Sequence, residues 1–359
     1  VNWISAKKAA HPTLLTTPYV AGTSVHGSTM PSFVLTAPPA SSGGGTVKKK
    51  QKMFLMSLLH AREPSGMVSL LYLADYLLLN YNRFGNVTRL LDEVEIHVLP
   101  VANPDGYMYN AQYQPGGGGM HRKNRRESPE GSNCGAGTGR GVDLNRNFGF
   151  RWGADDYGSS GRPCDMTYRG TKAFSEPETV AVQSLLTDHK FFTAMSFHAY
   201  GELLVLPCHY AHDCRAGYHN MAREATAVNG YKYGSSDETV GYGVNGDAAD
   251  WMDSTGVWSL TPEVGSRSDG FWPTRDRALA TARGNVNMTM TILEYGRRSL
   301  PSAASPAAAA GDGKPAGNEE PTPASAVPEA LNNESKSSKG GRVGVAYASG
   351  QPSYSRYIS

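Results

Sequence analysis

This chain of 359 residues lacks a long apolar run, a strong excess of either charge and a high cysteine content. A membrane-spanning helix needs roughly 20 apolar residues in succession, so no membrane span is expected. The net charge of +2 gives no reason to expect a nucleic acid or a membrane surface as partner. What is present is a chain with 39% hydrophobic residues, long enough to bury one large core.

The four cysteines are Cys134, Cys164, Cys208 and Cys214. An even number fits two disulfides, and the natural pairing is Cys134–Cys164 and Cys208–Cys214. Four reduced thiols in a cytosolic protein are the alternative, which the count does not exclude. Three Asn-X-Ser/Thr triplets favour a secreted protein or one of the secretory or lysosomal pathway.

The segment 208–214 also permits a rival interpretation, because it holds two cysteines and two histidines within seven residues. Structural zinc sites usually space their ligand pairs farther apart, so one metal ion could hardly collect all four side chains. A disulfide or free thiols are therefore favoured over a metal site in this segment.

Strand-like segments alternate along the chain with segments of helical periodicity. The predicted strands are residues 32–36, 53–59, 94–101, 192–197, 203–206 and 258–260. The predicted helices are residues 65–80, 176–188, 215–228 and 275–293. Ser175 and Glu178 are predicted to form a capping box. The alternation predicts an α/β domain with a mostly parallel or mixed sheet.

The composition changes near residue 299. Residues 1–298 are predicted to form a single domain, and residues 299–359 are rich in Ala, Pro, Ser and Gly with few large apolar side chains. Such a segment buries too little apolar surface to offset its ordering entropy, so a largely disordered tail is expected. Because the chain begins at Val1 and not at Met, we expect it to be trimmed from a longer precursor.

The most informative motif is the tetrapeptide HARE at residues 60–63. An apolar run leads into it and Pro64 follows, which predicts a strand that ends in a loop before a helix begins. The imidazole of His60 and the carboxylate of Glu63 can turn toward one metal ion, and His198, after another predicted strand, can supply a third ligand. Two nearby ligands, one distant ligand and an open fourth position are typical of a catalytic zinc site.

A long segment at residues 107–168 is rich in Gly and Arg, and loops of this length are usually functional. The simplest interpretation of its basic runs is a solvated surface. Asn145 beside Arg146, however, offers an amide and a planar guanidinium that suit a carboxylate. Asp143 can orient a metal-binding histidine by accepting a hydrogen bond from the ring nitrogen that does not bind the metal. Glu263 is the last residue of another apolar run. Taken by itself, it is best interpreted as an ordinary exposed acid at the end of a strand.

Together these segments resemble the zinc carboxypeptidases of the M14 family, of the pancreatic carboxypeptidase A/B type, from about residue 12 to residue 297. The motifs that carry the resemblance occur in the family's order at residues 60–63, 103–106, 122–125, 141–147, 174–178 and 196–200, at Tyr242 with residues 250–251, and at Glu263. The resemblance implies an α/β fold in a single domain, with a central mixed, twisted sheet of eight strands flanked by helices.

The resemblance also implies the catalytic residues. His60, Glu63 and His198 match the ligands of a Zn²⁺ ion, one per chain. Glu263 matches the general base that activates the zinc-bound water. Arg125 matches the arginine that polarises the scissile carbonyl and holds the oxyanion.

A further set of residues matches the family's substrate-binding positions. Asn145 and Arg146 match the pair that grips the substrate's C-terminal carboxylate. Tyr242 matches the mobile tyrosine that closes over the substrate, and Arg62 matches a subsite arginine. Asp143 matches the carboxylate that contacts the first zinc-binding histidine without binding the metal itself.

The sequence leaves open which side chain is preferred at the C-terminal residue of the substrate. In the family, the residue before Asp250 and its neighbouring tryptophan is aliphatic in enzymes for apolar C-termini and Asp in enzymes for basic ones. Here it is Ala249, which indicates neither. Asp247 and Asp237 are each candidates to place a carboxylate in the side-chain pocket.

The function expected from the resemblance is a zinc-dependent exopeptidase that hydrolyses the C-terminal peptide bond of peptides and proteins, acting as a monomer. One alternative is an inactive relative that only binds peptide C-termini, which is disfavoured because every catalytic position is filled. Another is a relative acting on modified substrates, such as wall peptides or glutamate side chains. Its acidic-substrate branch would need a cation in the side-chain pocket, and none is near Ala249.

Overall fold

The computed structural model describes residues 2–16, 18–39, 49–113, 118–135, 139–208 and 214–299. The predicted disordered tail lies outside the described residues, apart from its first position at the end of the last helix. None of the described helices is long and apolar enough to span a membrane.

The strands form one mixed sheet, as predicted. They are β1 (Tyr19–Thr23), β2 (Thr29–Leu35), β3 (Gln51–Ser57), β4 (Val94–Leu99), β5 (Thr193–Phe197), β6 (Leu203–Val205), β7 (Lys232–Gly234) and β8 (Trp258–Glu263). Eight strands are hydrogen-bonded in the order β1-β2-β4-β3-β5-β8-β6-β7. The four central strands β4, β3, β5 and β8 are parallel, while β2 and β6 join them in the antiparallel direction. The α/β fold expected from the sequence is therefore confirmed.

Helices cover both faces of this sheet. Those in the described residues are α1 (Asn2–Ala10), α2 (Pro64–Asn80), α3 (Gly85–Glu93), α4 (Pro104–Tyr113), α5 (Pro177–His189), α6 (Gly217–Thr226), α7 (Ser236–Thr239), α8 (Ala248–Ser254) and α9 (Arg275–Ser299). Side chains of β3 alternate between two buried apolar clusters: Met53 and Leu55 lie in the cluster with α2 and α9, and Phe54 and Met56 in the cluster with α5 and α8. Because both faces are apolar, polar side chains gather at the strand ends.

The capping box predicted at Ser175 and Glu178 is wrong. The N-cap of α5 is Glu176, and it makes no side-chain cap hydrogen bond. The carboxylate of Glu178 accepts instead from the backbone N–H of Val25 at 3.0 Å and from the side-chain amide of Asn124 at 3.2 Å. Tertiary partners outside the helix therefore replace the local cap.

Both predicted disulfides are present. Cys134 pairs with Cys164 and Cys208 pairs with Cys214, with Cα–Cα distances of 4.9 and 5.1 Å. The first bridge joins positions 30 residues apart within the long loop region. The second bridge uses the thiols of the rival metal interpretation, whose two histidines lie outside the described residues.

Candidate active site

The carboxyl ends of three adjacent parallel strands meet at one edge of the sheet. His60 and Glu63 follow β3, His198 follows β5, and Glu263 is the last residue of β8. A bridge between His198 and Glu263 continues the pairing of β5 with β8 by one further step. The topology thus brings four of the predicted residues together where ligands gather in α/β sheets.

Three ligand atoms converge at this edge. The Nδ1 atoms of His60 and His198 lie 2.9 Å apart. Glu63 places one carboxylate oxygen 3.0 Å from His60 Nδ1 and the other 3.1 Å from His198 Nδ1. All three side chains are buried. Glu63 is the N-cap residue of α2 but makes no side-chain cap hydrogen bond, so its carboxylate is available to the cluster.

The surroundings of the two imidazoles fit a zinc ion. His60 Nε2 lies 3.2 Å from Asp143 Oδ1, and His198 Nε2 lies 3.1 Å from Ser196 Oγ. With the outer nitrogens facing acceptors, the Nδ1 lone pairs are left to face each other and the Glu63 carboxylate. Because acceptor atoms that face one another repel, the two imidazoles and the carboxylate need a cation between them. Two imidazoles and one carboxylate are the ligand types of a catalytic zinc site.

Two buried carboxylates at the cluster are held in the charged form. Burial alone would raise the pKa of Glu63, but the neighbouring His60 and His198 hold it well below its ordinary value. Burial likewise opposes ionisation of Asp143, and Arg122 and His60 nevertheless hold the pKa of that carboxyl well below its usual range. Both groups are therefore anionic near neutral pH.

The structure brings Arg122, and not Arg125, to this cluster. Arg122 Nη1 lies 3.8 Å from Glu63 Oε1, and its Nε donates to Asp143 Oδ2 at 2.9 Å. The guanidinium of Arg125 lies 3.9 Å from the centre of the Tyr109 ring and does not line the cleft. The structure therefore places Arg125 away from the cluster, and Arg122 is the cleft residue that the sequence prediction missed.

A cleft of about 840 Å³ opens in front of the cluster, and all four predicted substrate-binding residues line it. They are Arg62, Asn145, Arg146 and Tyr242. The guanidinium of Arg62 lies 3.9 Å from the centre of the Phe271 ring, which fixes its direction. Tyr242 is 47% exposed on the rim, and its backbone carbonyl accepts from Ser236 Oγ at 2.9 Å.

Asn145 and Arg146 present donors to the cleft. They form a 3₁₀ turn, Leu144–Arg146, whose start is fixed by the Asn145 N–H donating to Asp143 Oδ1 at 3.0 Å. Asn145 Oδ1 accepts from the backbone N–H of Ala248 at 3.0 Å, which leaves its amide NH₂ to donate. Arg146 is only 2% exposed, and its Nε is buried without a hydrogen-bond partner. Leaving such a donor unsatisfied costs about 1–3 kcal/mol, and a bound carboxylate would satisfy it.

Glu263 lies half-buried at the end of β8 and lines the same cleft. Burial raises the pKa of its carboxyl to about 7, against the opposing effect of the nearby His198. A carboxylate with a pKa near neutrality is suited to accepting and returning a proton at physiological pH.

Comparisons with known proteins agree with this geometry. The zinc carboxypeptidase family, peptidase family M14, matches residues 1–288. A zinc carboxypeptidase of Simulium vittatum is 32% identical over 259 residues, which cover 67% of this chain and 79% of that protein. Carboxypeptidase A4 of Mus musculus is 30% identical over 254 residues, which cover 67% of this chain and 57% of that protein. The chain thus spans little more than half of the mouse relative.

Solved structures show the same fold. The crystal structure of thrombin activatable fibrinolysis inhibitor matches with a TM-score of 0.72 at 24% identity, covering 83% of this chain and 73% of that one. Carboxypeptidase A from Helicoverpa armigera matches with a TM-score of 0.64 at 23% identity, covering 82% and 70%. By its sequence match over most of its length, the chain belongs to the zinc carboxypeptidase family, peptidase family M14.

Proposed function

We propose that this chain is a zinc-dependent carboxypeptidase that hydrolyses the last peptide bond of a peptide or protein. The observation that carries the proposal is that Arg146, whose Nε is buried without a hydrogen-bond partner, lines the same cleft as His60 and Glu63 of the metal cluster. A main-chain carboxylate occurs only at a chain end. A clamp for that group beside a hydrolytic centre therefore favours an exopeptidase over an endopeptidase.

The proposed chemistry divides between the metal and the chain. A zinc ion held by His60, Glu63 and His198 would polarise the scissile carbonyl and lower the pKa of a water molecule toward about 7. Glu263 takes the proton from the attacking water and passes it to the leaving amine. Burial raises the pKa of this carboxyl, which favours uptake of the proton from the attacking water.

Arg122 is proposed to stabilise the negative charge that develops on the carbonyl oxygen. Its guanidinium is held by Asp143, so it needs little reorganisation as the charge forms. A preorganised donor of this kind contributes roughly 3–4 kcal/mol to transition-state stabilisation. Asp143 has a double role in this proposal, because it orients both Arg122 and His60.

In this proposal Asn145 and Arg146 position the substrate, and Tyr242, an exposed residue of the cleft lining, covers it. The two disulfides support a secreted protein or one that resides in another oxidising compartment, since such bonds persist there. Action as a monomer stays a prediction.

One assay separates the candidate functions. The purified chain is incubated with a panel of unmodified peptides, with and without a chelator, and the released residues are identified by mass. We expect single residues to leave stepwise from the C-terminus, release to stop with chelator, and release to return with added zinc. Binding without release would favour an inactive relative. Cleavage only of wall peptides or glutamate side chains would favour the modified-substrate alternative, and internal cleavage would contradict an exopeptidase.

A further inference from the structure

We propose that Asn86 is a glycosylation site and that the first sugar of its N-linked glycan lies against the ring of Phe84. This inference is independent of the proposed carboxypeptidase function, because it concerns another surface of the protein. Three Asn-X-Ser/Thr triplets occur in the chain, at Asn86, Asn287 and Asn333. Asn333 lies outside the described residues, so the structure compares the first two.

The triplet at Asn86 is open to solvent. Asn86 is exposed in the first turn of α3, whose buried residues are Val87, Leu90 and Leu91. Residues 82–85, which precede it, are exposed as well. An oligosaccharide on the Asn86 amide therefore extends into solvent without displacing a core side chain.

The triplet at Asn287 has different surroundings. Asn287 is exposed, but it lies in the middle of α9, and Thr289 is only 2% exposed. The Thr289 hydroxyl donates to the carbonyl oxygen of Asn285 at 2.9 Å. This triplet presents its hydroxyl to the protein interior and not to an enzyme, so the structure favours Asn86 as the modified position.

An exposed aromatic ring stands two positions before Asn86. Phe84 is 48% exposed, and its ring centre lies 6.4 Å from that of Tyr76. The backbone N–H of Phe84 donates to the carbonyl oxygen of Asn80 at 3.1 Å, which fixes the turn that carries the ring. A pyranose sugar has an apolar face formed by its C–H groups. Covering the exposed part of the Phe84 ring with that face removes apolar surface from water and stabilises the folded chain.

A polar groove adjoins the same turn. It has a volume of about 450 Å³, and its lining includes Arg89 and Asp92 of α3. Gly85, directly before Asn86, also lines it. Guanidinium groups donate and carboxylate groups accept hydrogen bonds, and sugar hydroxyls can form both kinds. Phe84 and this groove therefore offer the first sugar an apolar surface and polar partners.

A glycan at this position leaves the active site open. Helix α3 leads directly into the amino end of β4, whereas the metal cluster lies at the carboxyl ends of β3 and β5. None of residues 82–93 lines the cleft that holds Glu263. Asn86→Gln should therefore change kcat/KM for a leucine peptide by less than about twofold.

The modification needs a co-reactant that the secretory pathway supplies, an oligosaccharide linked to a lipid diphosphate. A bond forms between the Asn86 amide nitrogen and the anomeric carbon of the first sugar, and the bond from that carbon to a diphosphate oxygen breaks. The lipid diphosphate leaves with the bonding electron pair, and the amide nitrogen loses one proton. The two disulfides support passage through such an oxidising compartment.

The first test asks whether Asn86 is modified. The full chain is directed into the secretory pathway of yeast by a host leader. Peptides of the secreted protein are then mapped by mass, before and after treatment with peptide N-glycosidase in heavy-oxygen water. We expect the peptide that contains Asn86 to carry an oligosaccharide, and to gain a heavy-oxygen aspartate on treatment. An unmodified Asn86 in the secreted wild type would overturn the inference.

The second test asks whether the first sugar contacts Phe84. An endoglycosidase trims each glycan to its first sugar, and Tm is measured for the trimmed wild type and for trimmed Asn86→Gln. We expect the wild type to unfold roughly 1–3 °C higher, because part of one aromatic ring is covered. In the Phe84→Ala background this difference should fall by about half or more.

Val228→Ala is the matched control, because Val228 is also an apolar residue, 50% exposed, and follows α6. In that background the difference in Tm should equal that of the wild type. Equal differences in the Phe84→Ala and Val228→Ala backgrounds would overturn the contact with Phe84. So would equal Tm values for the trimmed wild type and trimmed Asn86→Gln, a comparison that does not depend on the folding of Phe84→Ala.

Discussion

The cleft has two regions where acceptors gather, and they are built differently. At the metal end, the side chains of His60, Glu63 and His198 converge within 4.8 Å at the ends of buried parallel strands. At the side-chain end, Asp247 Oδ2 and its neighbour Asp250 stand at the start of the short helix α8. The three-ligand cluster can retain a metal ion, whereas Asp247 at the other end caps a helix through Oδ1.

Between these regions lie donors that lack an acceptor, on Arg146 and Asn145. A peptide with a free C-terminus has groups complementary to the metal end and to these donors: a polarisable carbonyl and a terminal carboxylate. The difference between the two ends predicts that changes at the metal end abolish turnover and metal binding, and that changes at the acidic end leave the metal in place.

The largest catalytic effect is expected for Glu263→Gln, which keeps the shape of the side chain but cannot accept a proton. General-base catalysis is worth roughly 10²–10⁴-fold, so kcat should fall by about that factor while peptide and zinc still bind. Single-turnover kinetics and metal analysis of the variant measure both parts. Near-normal kcat would remove Glu263 from the mechanism.

The next effect separates two arginines that are three residues apart. Arg122→Ala should lower kcat by roughly 10²–10³-fold, because the donor for the developing oxyanion is lost. Arg125→Ala should lose only the contact with the Tyr109 ring and keep near-normal kinetics. The two variants are compared on one free-acid peptide. A larger loss in Arg125→Ala than in Arg122→Ala would restore the prediction made from the sequence.

A smaller effect is expected at the carboxylate clamp. Amidation of the substrate C-terminus removes the charge that Arg146 binds, so amidated peptides should be cleaved at least about tenfold more slowly than free acids. Arg146→Ala should shrink this gap, since it mainly harms the free-acid substrate. Measured kcat/KM values for the paired substrates test this, and equal rates for both in the wild type would show that the chain end is not recognised.

The smallest effect concerns pH. Glu263 accepts a proton only when ionised, and burial raises its pKa to about 7 in the metal-free protein. The charge of bound zinc lowers that pKa, so kcat/KM for a leucine peptide should decline about tenfold per pH unit on an acid limb at or below about pH 7. Glu263→Gln should lack this limb. An identical limb in the variant would assign the titration to another group.

The strand-end residues could be predicted from the sequence, because each follows an apolar run that ends abruptly. The predicted strands 53–59 and 192–197 correspond to β3 and β5, and both lead into a histidine of the metal cluster. Edge strands are less apparent: β1 (Tyr19–Thr23) is partly exposed and β7 (Lys232–Gly234) has only three residues. Neither has the apolar pattern that the central strands show.

The site residue that the sequence did not reveal belongs to the long loop. Residues three apart in an extended segment point to opposite sides, so the register of the segment decides whether Arg122 or Arg125 faces the metal cluster. That register is set by long-range backbone hydrogen bonds, from Ala61 N–H to Arg122 O and from Asn124 N–H to Val142 O, each at 2.9 Å. No local pattern of residue types encodes such contacts.

Zinc content tests the difference between the two ends of the cleft most directly. Elemental analysis is carried out on the wild type, His60→Ala and Asp247→Asn after dialysis against trace zinc. We expect about one zinc per chain in the wild type and in Asp247→Asn, and none in His60→Ala, because the cluster of His60, Glu63 and His198 is the group suited to a permanent ion among the described residues. Zinc retained by His60→Ala, or lost from Asp247→Asn, would contradict the assignment of the metal to His60, Glu63 and His198.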